Sequence, residues 1–116
     1  MSGRYQVAAK ADRTLDGITF DSRAEMNRYA ELHMMERAGL IKDLETQPEY
    51  VLQPGFRFRG ASVRPITYRA DFRYLDIESN RIIVEDQKGH PTAEYKIKKK
   101  MLLYKYPDIN FMEVKG

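Results

Sequence analysis

Two aspartates and a lysine stand on two β-rich runs, Asp71 within the first and Asp86 and Lys88 at the end of the second. Ile82, Ile83 and Val84 are β-branched, so residues 81–88 read as a strand that Gly89-His90-Pro91 ends. Side chains alternate along a strand. Ile82, Val84, Asp86 and Lys88 therefore share one face, and Ile83, Glu85 and Gln87 share the other. An acid and a lysine fall side by side at the rim of an apolar strand. That pairing holds a divalent cation beside a fixed positive charge, or it is a plain ion pair. Asp71 lies in the run 66–77, where Tyr68, Ala70, Phe72 and Tyr74 form one face and Arg69, Asp71 and Arg73 the other. Glu78-Ser79-Asn80 is a turn, which makes the two runs an antiparallel hairpin able to bring Asp71 close to Asp86. An acid between two arginines also reads as a surface ion pair.

The preceding elements must position these groups. Residues 1–13 lack periodicity and read as a flexible arm. Asp16-Gly17 between apolar residues signals a small hairpin or packed lead-in. Ser22 and Glu25 form a capping box for a helix that Gly39 closes. Ala24, Leu32 and Met35, with Tyr29 and Ala30 between, give the helix its apolar stripe, and Glu25, Tyr29, Leu32 and Glu36 lie near one face. On this reading Glu25 is explained by capping. Residues 40–53 are a connection into a first strand, with Pro48 marking an edge or a bulge. Residues 56–65 alternate aromatic and basic side chains around Gly60, as a loop or short hairpin arm. There Arg57, Arg59 and Arg64 touch phosphate or are simply solvated.

Thr92 caps a second helix ending at Pro107, whose predicted apolar stripe is Ile97, Met101 and Tyr104, broadened by Leu102. Residues 109–114 are a last strand, parallel to 81–88 through a right-handed crossover.

A chain of 116 residues makes one domain, here expected over 14–116. Without cysteine there is no disulfide framework and no thiolate metal site. No apolar run of membrane length or signal peptide is evident, so no membrane partner and a cytoplasmic location are expected. Net charge is only +3, yet residues 92–106 carry five lysines against one glutamate. That local excess suits a polyanion, or is a solvated helix face. His33 and His90 have no paired ligand spacing and read as bystanders.

The order helix, three strands, helix, strand, with Asp71 and Asp86-Gln87-Lys88 on the second and third strands, resembles a PD-(D/E)xK nuclease. The chain is most similar to a small phage-encoded nuclease family marked by three patterns. These are Phe-Asp-Ser-x-x-Glu (20–25), Arg-Pro-x-x-Tyr-x-Ala-Asp-Phe (64–72) and Glu-Asp-x-Lys-Gly (85–89). Ala70 stands where the motif's name has proline.

The resemblance implies an α/β fold, the restriction-endonuclease-like αβββαβ core with a mixed central sheet flanked by helices. It implies a Mg²⁺- or Mn²⁺-dependent DNA endonuclease, acting in the host cytoplasm if phage-encoded. Glu25, Asp71, Asp86 and Lys88 would be catalytic, with capping still the alternative for Glu25. Asp71, Asp86, Glu25 and the Gln87 carbonyl would hold the metal, since hard oxygen ligands suit these cations. Lys88 would orient the attacking water or neutralise developing charge. Lys96, Lys98, Lys99 and Lys100 would hold DNA phosphates. Small cores of this kind resemble junction-resolving homodimers, which makes branched DNA the leading expectation, with a simple nicking enzyme or a recombination-associated nuclease beside it. A non-catalytic nucleic-acid-binding module and a phage structural or packaging protein are the rival expectations.

Overall fold

Asp16 and Gly17 take positive φ of 53° and 77°, the left-handed pair that a two-residue turn requires. They join β1 (Thr14–Leu15) to β2 (Ile18–Thr19). A computed structural model describes residues 8–87 and 91–114. Of the expected arm, Lys10–Arg13 winds into a 3₁₀ turn. The Arg13 guanidinium donates to the carbonyls of Ala8 and Phe20 and ties this turn to the body.

Helix α1 (Arg23–Arg37) starts where expected: the Ser22 hydroxyl accepts from the Glu25 N–H at 3.1 Å. Gly39, at φ 80°, ends it. Glu25, Tyr29 and Leu32 are its buried residues, as the i, i+4, i+7 spacing predicts, whereas Ala24 is exposed.

The connection expected over 40–53 is two strands, β3 (Ile41–Thr46) and β4 (Glu49–Gln53). Gln47, at φ 53°, and Pro48 separate them. A short hairpin follows, β5 (Phe56–Phe58) and β6 (Ala61–Val63). The single strand expected over 66–77 is also two, β7 (Ile66–Arg69) and β8 (Phe72–Asp76). Then come β9 (Arg81–Gln87), α2 (Ala93–Lys105) and β10 (Asn110–Val114).

The fold is mixed α/β. Its four-stranded sheet runs β10-β9-β8-β3, with β10 parallel to β9 and the other pairs antiparallel. β4 pairs with β7 outside that sheet. The break explains this. The ladder from β3–β8 to β4–β7 bends where Gln47-Pro48 faces Ala70-Asp71. Its backbone groups stay bonded through the bend: Gln47 N–H to Asp71 O at 2.8 Å and Ala70 N–H to Pro48 O at 3.0 Å.

The bend divides the core. Tyr68, Ala70, Phe72 and Tyr74 are all buried, as alternation predicts, but not together. Phe72 and Tyr74 pack with Phe20, Tyr29, Leu32, Ile41 and Ile83 under α1. Tyr68 and Ala70 pack with Tyr50, Leu52, Val84, Tyr95 and Leu102 under α2. Neighbours Ile83 and Val84 thus serve opposite faces of β9, and a strand covered on both sides reads as a continuous apolar run.

Helix α2 corrects the predicted stripe. Tyr95 and Leu102 are buried, while Ile97 and Tyr104 are 59% and 90% exposed. The buried side follows 95, 98, 99, 102, with the stems of Lys98 and Lys99 lying partly over it. Among the described residues no helix is long and apolar enough to cross a membrane.

Candidate active site

Phe72 pairs with Glu85 in the β8–β9 ladder, so one step on Asp71 comes to lie beside Asp86. Asp71 N–H donates to Glu85 O at 3.0 Å, and the Asp71 carboxylate accepts from the Gln87 N–H at 2.7 Å. The two carboxyl groups are close enough to share a hydrogen bond. Asp71 stands at the bend, half-buried; Asp86 is fully buried. The Tyr68 hydroxyl donates to Asp86 Oδ2. Burial and that carboxylate push the Tyr68 pKa upward, so the phenol stays a donor.

Glu25 joins them from the first turn of α1. Its N–H takes the Ser22 cap, but its carboxyl turns inward and is only 3% exposed. Oε2 has no hydrogen-bond partner among the described residues. Burial raises its pKa to about 7, with Asp21 and Asp86 adding to the rise and the Asp21 backbone and Arg69 opposing it. Burial likewise pushes Asp71 upward, and the charges of Asp86 and Glu25 push it further. Three acids therefore sit within one another's field at the junction of bend, strand end and helix start. Capping and a place in this cluster prove compatible for Glu25, because its backbone serves one and its side chain the other.

This donor set fits a hard divalent cation. It is all oxygen, it gathers negative charge in a half-buried place, and it includes the buried Glu25 Oε2, which has no hydrogen-bond partner among the described residues. Among the described residues no group of three or more Asp, Glu, His or Cys side chains is placed to hold a metal ion by itself. Asp71 and Asp86 would hold the ion, with Glu25 reaching it through water.

Glu85 faces the other way, as alternation predicts. It is fully buried and held by Arg28 Nε at 2.8 Å, by Arg28 Nη2 at 2.7 Å and by the Tyr74 hydroxyl. That pair pins α1 to β9 three residues beyond Glu25. Sequence reasoning missed Arg28, Tyr74 and Tyr68 as positioning residues. Only Tyr68 had a signal, the tyrosine of the Arg-Pro-x-x-Tyr pattern. Glu113 was missed too: it lies beside Asp86 across the β9–β10 ladder, accepts from the Tyr95 hydroxyl and sits 3.6 Å from Lys99.

The lysines divide. Lys98 pairs with Glu94 at 2.9 Å, and Lys99 pairs with Glu113 and lies over the Phe111 ring at 5.3 Å. Lys96 and Lys100 are exposed with no ion pair among the described residues. A cleft of about 270 Å³ between β7 and the start of α2 is lined by Thr67, Tyr68, Arg69, Thr92, Glu94, Tyr95 and Lys98. Lys88 and His90 lie outside the described residues. His33 stacks on Tyr29 at 5.7 Å, away from the acids.

No curated protein and no solved structure matches the chain. A family of proteins of unknown function, DUF1064, has a model that matches residues 4–115. The chain belongs to the DUF1064 family.

Proposed function

We propose that this protein is a metal-dependent DNA endonuclease of the PD-(D/E)xK type, with a restriction-endonuclease-like core made of α1, β3, β8, β9, α2 and β10. The observation that carries the reading is the meeting of Asp71 and Asp86 on adjacent strands, with the buried carboxylate of Glu25 in their field. Structural ion pairing does not require this. A fold that buries three acids within one another's field gives up stability there, as functional sites do.

Asp71 and Asp86 are the metal ligands in this reading, and Mg²⁺ or Mn²⁺ is the ion. When bound, such an ion supplies Lewis-acid activation of the scissile phosphate and the attacking water. Tyr68 keeps Asp86 oriented as a ligand. The Gln87 N–H does the same for Asp71. Glu25 positions the water or takes its proton, and its raised pKa suits that task near neutral pH. Lys88 neutralises charge developing on the phosphate. Lys96 and Lys100 hold backbone phosphates along α2. Branched DNA cut by a homodimer is the substrate and assembly in this reading.

Cleavage of a four-way DNA junction and of matched linear duplex, with Mg²⁺, Mn²⁺ or EDTA, tests it. Metal-dependent cutting that Asp86→Asn and Asp71→Asn each reduce at least 100-fold is the expected result. Binding without cutting in any metal would leave a non-catalytic DNA-binding module. Self-assembly with neither binding nor cutting would leave a structural protein.

A further inference from the structure

The β5–β6 hairpin is exposed along nearly its whole length; only Val63 is partly covered. Phe56 and Phe58 are 48% and 58% exposed. Two large aromatic residues open to solvent on a two-stranded ribbon add nothing to a core, and a lone hairpin is marginal in water. The chain nevertheless spends specific contacts on holding this one in shape. Arg59 and Gly60 take φ of 51° and 81°, closing the tight turn. Arginine is an unusual choice for a left-handed turn position, where asparagine or glycine is less strained. The Arg57 guanidinium donates to Gly60 O and, at 3.3 Å, to the Ser62 hydroxyl. The Arg59 guanidinium lies 5.2 Å from the Phe58 ring centroid. At the base, a side chain at Gly55 would meet Val63 O at 3.1 Å and the Pro65 ring at 3.2 Å, so the two legs are tightly apposed.

The charge of this segment is one-sided. From Gln53 to Ala70 there are four arginines, Arg57, Arg59, Arg64 and Arg69, and no acid. That is the complement of a phosphate backbone. The ribbon is also continuous with the candidate site, because β7 leads from the hairpin base directly to Asp71. Asp71 lies eleven positions after Gly60. At roughly 3.3 Å per residue the tip reaches no more than ~36 Å from the acids, about one turn of duplex DNA.

We propose that the β5–β6 hairpin is a DNA-recognition arm that stacks Phe56 and Phe58 on unpaired bases while Arg59 and Arg64 hold the flanking phosphates. The inference rests on the nuclease reading and narrows its substrate to DNA with an opened strand, such as a gap or branch. Unpaired bases are the fitting ligand because a base in an intact duplex has both faces covered, whereas an open ring face is what exposed phenylalanine can stack on. The arm has few groups for reading base edges. Ser62 is its only uncharged hydrogen-bonding side chain, and Arg57 is already engaged within the turn. Recognition by this arm is therefore by structure and not by sequence.

The test measures binding of Asp71→Asn protein to a duplex with a central gap carrying 2-aminopurine and to the same duplex intact, in EDTA. Metal-dependent cutting of both DNAs by otherwise wild-type protein is scored in parallel. The expected result is a preference for the gapped DNA and quenching of the 2-aminopurine by stacking. Phe56→Ala/Phe58→Ala, folded by circular dichroism, should lose about tenfold of that preference. Phe58→Trp should keep it, because a ring is restored. If the double alanine variant keeps its preference while cutting proceeds, the arm proposal falls and the nuclease reading stands. Equal loss on gapped and intact DNA overturns base stacking in favour of general phosphate contact. If wild-type protein neither binds nor cuts either DNA in any metal, both readings fall together.

Discussion

Glu25 shows how one residue serves structure and chemistry at once. An acid whose folded pKa exceeds its unfolded value binds its proton more tightly when folded. The stability it confers is full below the ordinary 4.5 and is lost as pH rises through about 7. Metal-free protein should therefore be less stable at pH 8 than at pH 5, and Asp71 acts in the same direction. Glu25→Gln should remove part of that slope and stabilise the protein at pH 8 by on the order of 2 kcal/mol. Urea midpoints at the two pH values measure both effects; an unchanged slope would place Glu25 in a solvated, uncoupled position. Mg²⁺ should reverse the loss. At a hundred times its Kd it should add about 2.7 kcal/mol at pH 8, and little at pH 5, where Glu25 and Asp71 hold protons. Asp86→Asn should abolish that gain in the same melting experiment. The acids themselves were legible from the sequence, since alternation alone assigns Asp86 and Glu85 to opposite faces. The partners of those acids were not. Arg28 and Glu85 are 57 residues apart, and no local spacing announces such a pair.

At the scale of elements, the bend at Ala70-Asp71 is the feature that alternation could not reveal. Tyr68, Ala70, Phe72 and Tyr74 keep a strand's period through the break, so the pattern reads as one strand. The signal lay on the partner strand, where Pro48 was taken for an edge or bulge and in fact faces the bend. The stripe of α2 was misread for a different reason. Lys98 and Lys99 count as polar in a pattern, yet their stems cover the face that Tyr95 and Leu102 bury. The caps at Ser22 and Thr92 were legible because each rests on a contact three residues long. The Arg28–Glu85 pair ties α1 to the sheet beside the apolar packing of Tyr29 and Leu32. Arg28→Met leaves a buried carboxylate without its cation and should cost 3–5 kcal/mol, on the order measured for such pairs. Arg28→Met combined with Glu85→Leu should recover much of that loss, because neither charge is then stranded. Denaturant unfolding of the three variants checks this. A mild Arg28→Met would mean that Tyr74 alone satisfies Glu85.

At the scale of the whole molecule, charge is arranged more finely than a net +3 suggests. The lysine-rich helix and the arginine-rich hairpin belong to one side of the sheet, because α2 packs on the β4–β7 ribbon that leads out to the hairpin. Within α2 the lysines are not equivalent. Lys98 and Lys99 already neutralise Glu94 and Glu113, so giving them to a phosphate first requires breaking an internal pair. Lys96 and Lys100 carry no such obligation among the described residues. If the protein binds DNA, these two supply the larger share of the electrostatic affinity. Each phosphate neutralised contributes about −0.9 to the slope of log K against log salt on duplex DNA. Lys96→Ala/Lys100→Ala should then flatten that slope by nearly two units, and Lys98→Ala/Lys99→Ala by less than one. Anisotropy titrations of a labelled duplex over a range of KCl concentrations would separate the pairs. Equal flattening by both would show that the internal ion pairs open on binding. No flattening by either would remove α2 from the DNA interface and leave the hairpin arginines as its cationic part.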